Sequence, residues 1–245
     1  MSLFQQKESN VNRSFIIIFA ILFASCGHEY EFVDMQECQN NNTTKQAAYA
    51  FSQFIWKKEK INVCWENLDE ENEPIADFVK QEITKYWDDN IDLDFVGWKK
   101  CSFMNVGSDI KIKIKDERSW SIAGTLSSLP YTSMSLNFTF KNFAPECTRD
   151  IDTLYYCIGF TAIHEFGHAI GLDHEQNRPD TPESCSAIYP PDVGAQGDTA
   201  YGKWDDKSVM NYCATNYAPS CMDIATVQQI YGPESDSTSK LIIGE

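Results

Sequence analysis

Over residues 60–66 the apolar Ile61, Val63 and Trp65 alternate with polar positions, the period of a half-buried strand. Pro74 suits an opening position of a helix. Behind it Ile75, Phe78, Val79, Ile83, Tyr86 and Trp87 recur at helical spacing, which predicts an amphipathic helix running through Asn90 with its apolar stripe in the core. Residues 93–98 form a second strand candidate. A third sets Ile110, Ile112 and Ile114 against Lys111, Lys113 and Lys115, a pattern that predicts one wet face. A fourth places Met134, Leu136 and Phe138 on one side and Ser133, Ser135 and Asn137 on the other. Residues 153–170 are helical in pattern and stop at Gly171, a residue free to adopt the left-handed conformation that ends helices. Asp223 is placed to cap a last helix through Ala225, Val227, Ile230 and Tyr231, closed by Gly232-Pro233. There is no internal repeat, and the order of strand, helix, strands and helix predicts an α+β domain.

The bulk composition is that of a globular chain, with 42% hydrophobic and 13% aromatic residues in 245, a length that fits one domain. A net charge of −16 excludes nucleic acid as a partner, because phosphate binding needs clustered Lys and Arg; the charge reads as solubility outside a cell. Lys7 and Arg13 flank an apolar run over 15–24 that ends in small residues before Cys26, so residues 1–25 read as an export signal. The run is shorter than the roughly twenty residues a spanning helix needs. Phe23-Ala24-Ser25-Cys26 resembles a bacterial lipobox, in which cleavage exposes a cysteine for lipid attachment; an ordinary cleavable signal peptide is the runner-up. Residues 26–46, with Asn40, Asn41 and Asn42 in a row, read as a lipid-anchor tether or short pro-segment, 47–233 as the folded domain and 234–245 as a disordered tail. Of nine cysteines, setting Cys26 aside leaves Cys38, Cys64, Cys101, Cys147, Cys157, Cys185, Cys213 and Cys221, enough for up to four disulfides in an oxidising compartment. Their pairing is open among about 105 connectivities. The absence of a CxxC pair speaks against a thiolate zinc cluster or a thioredoxin-like redox centre.

The segment with chemistry runs His164-Glu165-Phe166-Gly167-His168-Ala169-Ile170-Gly171-Leu172-Asp173-His174. Two histidines four apart on a helix share a face, so both imidazoles can reach one ion. Gly171 then breaks the helix and lets the chain turn, so that His174 can deliver a third nitrogen from another direction. Three protein ligands leave the fourth position of tetrahedral zinc open, the condition for catalysis rather than a closed structural site. Glu165, beside the first ligand, is placed to take a proton from water. The chain has 4 histidines, and His28 alone lies outside this segment, which argues against chance spacing. An acidic stretch holding Asp192, Asp198, Asp205 and Asp206 could in principle bind calcium. It lacks EF-hand spacing, and a solvated loop is the favoured reading.

HExxHxxGxxH resembles the metzincin zinc-binding signature, and the continuation His174-Glu175-Gln176-Asn177-Arg178-Pro179-Asp180 is similar to the segment that follows the third histidine in astacins. Downstream, Ser208-Val209-Met210-Asn211-Tyr212 resembles the Met-turn, where a methionine lies beneath the metal. Trp120-Ser121-Ile122-Ala123-Gly124-Thr125 and the strand after it are similar to the region before the zinc helix in bacterial astacin-like enzymes. The resemblance implies an α+β zincin fold: a twisted, mostly parallel sheet with an antiparallel edge strand, a zinc-binding active-site helix, and a C-terminal helix after the Met-turn. It implies one catalytic Zn²⁺ on His164, His168 and His174, with Tyr212 as a switchable fifth ligand and a donor to the developing oxyanion. It also implies a protein or peptide substrate held in extended form at a sheet edge. The reading is therefore a monomeric, exported zinc endopeptidase with Glu165 as general base, at the cell surface or outer membrane or secreted, meeting a membrane only through Cys26. A catalytically silent zinc-containing adhesin or binding lipoprotein is the alternative; a zinc hydrolase acting on something other than peptides is a further rival. The chain departs from the astacin pattern at Thr181-Pro182-Glu183-Ser184-Cys185 and at Asn211, where many astacins carry histidine. Glu175 raises a further question. In mature astacins the corresponding glutamate pairs with the N-terminal amine, which a lipidated Cys26 cannot supply, so either a second cleavage releases the domain or Glu175 pairs with Arg178 or solvent.

Overall fold

The computed structural model describes residues 45–102, 107–192, 196–213 and 216–233. The export signal, Cys26, nearly all of the tether and the 234–245 tail lie outside these residues. In chain order the regular elements are strand β1 (Ala47–Ala50), β2 (Lys60–Trp65), helix α1 (Glu73–Tyr86), β3 (Asp94–Lys100), β4 (Ile110–Ile114), β5 (Trp120–Ser121) and β6 (Met134–Leu136). Then come the long helix α2 (Ile151–Ala169), β7 (Leu172–Asp173), the single turn α3 (Glu183–Ser186), β8 (Thr199–Gly202) and α4 (Cys221–Tyr231).

The larger sheet has the order β3-β2-β4-β6-β5. β2 runs parallel to β3 and β4, β4 runs parallel to β6, and β5 pairs antiparallel with β6 at the edge. This is the mostly parallel sheet with an antiparallel edge strand expected of the fold. A second, antiparallel sheet of order β7-β1-β8 places Tyr49 opposite Asp173 and Ala48 opposite Tyr201. None of its three strands was predicted. They have two to four residues each, and β1 is built mainly of alanine, so neither length nor composition marks them.

Several boundaries moved. α1 closes at Tyr86 and is followed by a tighter 3-10 turn (Asp88–Asn90), so the helix predicted through Asn90 is two pieces. α2 begins earlier than the apolar pattern, because Asp150 caps it, accepting from the Thr153 backbone N–H at 2.7 Å and the Thr153 hydroxyl at 2.6 Å. α4 is capped by Ser220 rather than Asp223. Asp223 is instead the third helical residue of a reciprocal capping box. The lysine face of β4 is also not uniformly wet. Lys111 is 1% exposed, and its ammonium donates to the carbonyls of Ser108, Asp109 and Ser127 at 3.3, 3.1 and 2.9 Å, which offsets its desolvation. The polar side of β6 is likewise covered, with Ser133, Ser135 and Asn137 all buried.

The core is one contiguous cluster between the larger sheet and the two long helices. Phe166 of α2 stacks on Trp98 at 5.4 Å and meets Phe95 edge-on at 4.9 Å, fixing the rotation of α2 about its axis. Two indoles anchor α2 further: Trp87, at the end of α1, donates to Ile163 O at 3.1 Å, and Trp56, on the connection between β1 and β2, to Ala169 O at 2.8 Å. Disulfides join Cys64 to Cys101, Cys147 to Cys157 and Cys185 to Cys213, and Cys221 is disulfide-bonded as well. Among the described residues no helix is long and apolar enough to cross a membrane.

Candidate metal centre

With Phe166 turned into the core, helical geometry turns His164 and His168 the other way, one turn apart on one face of α2. Their ring centroids lie 4.9 Å apart. The helix ends at Ile170, and Gly171, with φ of +92°, redirects the chain into β7. That turn brings the His174 ring to 4.5 Å from His168 and 5.3 Å from His164. The three histidines separated in sequence thus offer ligand atoms that all lie within 4.8 Å of one another.

Each ring is oriented through its Nδ1. His164 Nδ1 lies 2.8 Å from Val209 O, His168 Nδ1 2.8 Å from Leu172 O, and His174 Nδ1 2.5 Å from Asp192 Oδ2. Carbonyl oxygens only accept, so the first two rings carry their proton on Nδ1 and present an unprotonated Nε2 to the centre. His164 Nε2 is buried and has no hydrogen-bond partner. His168 and His174 bring their Nε2 atoms to 3.0 Å from each other. An orphaned buried acceptor beside two closely approaching ring nitrogens is unfavourable unless a cation lies among them, so the donor set fits a divalent metal with nitrogen ligands, as zinc is. Burial, followed by the charge of neighbouring rings, holds the imidazole pKa values low: His164 well below the usual histidine range, His174 down to about 2.

The floor of the site is the turn over 208–212. Asp223 accepts from the Ser208 hydroxyl at 2.8 Å and from Val209 N–H at 2.9 Å, and Val209 in turn offers its carbonyl to His164. Met210 is buried beneath α2 so closely that a Cβ on Gly167 would come within 2.4 Å of its sulfur, leaving glycine as the residue that fits. The Met210 carbonyl accepts from Glu175 N–H at 3.0 Å, binding the floor to the third histidine's segment.

Glu165 is 6% exposed, and burial lifts its carboxyl to about 8, opposed by the charge of Arg118. Tyr212 stands beside the triad, its ring 4.3 Å from His174 and 5.5 Å from His164. Its hydroxyl accepts from Arg118 Nη2 at 2.9 Å, and burial raises its pKa to about 12. Glu175 is fully buried; its Oε1 lies 3.3 Å from Arg178 Nε and accepts from Asp205 N–H at 2.9 Å. Of the partners open to it in sequence, Arg178 is therefore the one it meets among the described residues. The four acidic-loop residues are tied separately: Asp192 to His174, Asp198 to Ser52 N–H at 3.0 Å, and Asp205, buried at 1% exposure rather than solvated, to the Ser220 hydroxyl at 2.6 Å. Asp206 offers its carbonyl to Asn216 at 3.0 Å. Sequence reasoning missed Arg118, which sits in an irregular loop without a motif, and the link from Asp192 to His174, which no spacing announces. It also missed Asp223 as the anchor of the turn, although the residue stands out as a cap for the last helix.

Residues 151–229 match the family model of astacin, a peptidase family. No curated protein matches the chain. Among solved structures, one described as "Structure of myroilysin" superposes with a TM-score of 0.56 at 18% identity, covering 76% of this chain and 99% of that one. A second, "Crystal structure of myroilysin", gives 0.51 at 18% identity over 73% and 86%. At such identity the structural likeness speaks for the fold, while the family match spans the histidine segment and the Met210 turn together. The segment that carries the histidines and the Met210 turn is thus similar to the astacin peptidase family, and the fold is the one seen in the myroilysin structures.

Proposed function

We propose that this chain hydrolyses peptide bonds of extracellular proteins, with zinc held by His164, His168 and His174 and with Glu165 as general base. The observation that carries the reading is the orphaned, buried His164 Nε2 beside the paired Nε2 atoms of His168 and His174. When bound, zinc supplies the Lewis acidity that acidifies water and polarises a carbonyl. Glu165, buried and next to the first ligand, accepts the water's proton as attack begins and passes it to the departing amine. Tyr212 donates from its hydroxyl to the carbonyl oxygen as charge develops there, and its depressed acidity keeps it protonated for the task.

The substrate lies extended against β5, the edge strand, whose outer backbone groups can form a further antiparallel pairing. Trp120 on that strand and Tyr189 near Tyr212, at 39% and 41% exposure, offer apolar area to its side chains. The described disulfides support an oxidising, extracytoplasmic setting, either as a monomeric lipoprotein anchored through Cys26 at the cell surface or outer membrane or as a secreted enzyme. Digestion of casein or gelatin by the purified full chain, stopped by a chelator and restored by zinc, tests the activity. Glu165→Gln is expected to bind zinc as wild type does and to lose nearly all hydrolysis; undiminished proteolysis by that variant sinks the mechanism. Zinc binding without cleavage of any peptide library would support the adhesin instead.

A further inference from the structure

We infer that Asp192 is a positioning residue for the third metal ligand, its carboxylate fixing the ring and the tautomer of His174; this rests on the zinc-site reading above. His164 and His168 take their orientation from backbone carbonyls, Val209 O and Leu172 O, which come with the fold. His174 has no such carbonyl. It leaves the helix behind at Gly171, and its Nδ1 meets instead a side chain eighteen positions downstream, Asp192 Oδ2 at 2.5 Å.

That carboxylate is aimed. Asn177 Oδ1 accepts from Asp192 N–H at 2.9 Å, and Asn177 Nδ2 donates to Asp192 Oδ2 at 3.2 Å and to Asp173 Oδ1 at 3.0 Å. Asp173 Oδ1 also accepts from His174 N–H at 2.7 Å, and Asp173 Oδ2 from Gly197 N–H at 2.7 Å. Asp173 and Asn177 are each 5% exposed. The residues on either side of the ligand therefore grip the backbone on either side of the carboxylate. An arrangement whose only purpose was a solvated loop would not need buried Asp and Asn side chains satisfied on both ends.

A carboxylate accepting from Nδ1–H fixes the tautomer, leaves Nε2 as the free donor atom and makes it more basic. Three neutral imidazoles bring no charge to a dication, and Asp192 is, among the described residues, the carboxylate in hydrogen-bond contact with a ligand ring.

The test measures zinc affinity, by competition with a chromophoric chelator, in metal-depleted full-length wild type and in Asp192→Ala, Asp192→Asn and Asp192→Glu. Partners of this kind change metal affinity by about 10- to 100-fold. Asp192→Ala is expected to fall in that range, Asp192→Asn to fall between it and wild type because it keeps the acceptor and loses the charge, and Asp192→Glu to recover part of the loss. Cobalt-loaded Asp192→Ala should shift its visible absorption, while the thermal midpoint of the metal-free protein stays at the wild-type value. Wild-type zinc affinity in Asp192→Ala overturns the proposal alone. So does a loss of affinity matched by an equal loss of metal-free stability, and if Asp192→Ala fails to fold, Asp192→Asn decides by the same comparison. A wild-type chain that binds no zinc overturns the function reading, and the proposal with it.

Discussion

Tyr212 and Arg118 form a pair at the cleft in which a cation touches the group proposed above as the oxyanion donor, with Arg118 Nη2 2.9 Å from the hydroxyl. A guanidinium there holds the phenol in place and favours the hydroxyl's proton pointing away from it, toward whatever oxygen approaches from the other side. Removing one donor to a developing oxyanion costs about 10²-fold in turnover, so Tyr212→Phe should lose roughly that much kcat while keeping its zinc. If Arg118 works through the phenol, Arg118→Met should cost kcat about tenfold in wild type and almost nothing in the Tyr212→Phe background. Additive losses in that double-mutant cycle, read from kcat on one peptide, would separate the two residues. They differ in how far sequence reveals them. Tyr212 stands two positions after Met210 in a recognisable turn, whereas Arg118 lies on an irregular connection between β4 and β5, and only folding carries it across to position 212.

At the scale of elements, the site depends on how α4 grips the turn over 208–212. Asp223 sits fully buried in the first turn of α4 and accepts from Ser220 N–H, Val209 N–H and the Ser208 hydroxyl at 2.9, 2.9 and 2.8 Å. Replacing it by alanine strands these donors, at roughly 1–3 kcal/mol for a buried unsatisfied group. Urea unfolding of Asp223→Ala should show a loss of that order or more. The same carboxyl has a pH signature. Burial first and the charge of Asp205 second raise it from 3.8 to about 7, against the pull of its hydrogen bonds. The folded state therefore holds this proton more tightly than the unfolded state, and stability from this group is full below pH about 4 and is lost as pH rises toward about 7. Asp223→Asn should accordingly show a flatter urea midpoint across that window; an unchanged slope would assign the dependence to other groups. The long elements were legible beforehand, because α1, α2 and β2 to β4 carry many apolar positions at one period. The small sheet was not, since β1, β7 and β8 are fixed by contact with each other and by Arg178 Nη1 donating to Ala48 O at 2.7 Å. Lys111 escaped for a related reason: alternation reveals that two faces differ, not that the second meets water.

For the molecule as a whole, the metal centre is built where three separately anchored parts meet: α2 on the core, the segment after Gly171 on the small sheet, and the turn over 208–212 on α4. The disulfide Cys185–Cys213 joins the last two on the cleft side, closing a separation of 28 residues from α3 to the position after Tyr212. Tyr189, shortly after α3, lies with its ring 6.0 Å from that of Tyr212, so the bridge also holds the exposed rim above the site. Chain-entropy arguments give a crosslink of this length about 3–4 kcal/mol, most of it through the unfolded state. None of the three histidines depends on it directly, because each ring nitrogen is braced by Val209 O, Leu172 O or Asp192. Replacing both cysteines by serine should therefore lower the thermal midpoint and raise KM for a peptide spanning the cleft, while zinc content stays at one per chain. Calorimetry, steady-state kinetics and metal analysis on the same preparation distinguish the possibilities. Loss of zinc at unchanged KM would mean that the bridge braces the ligands themselves, and that the rim of the cleft keeps its shape without it.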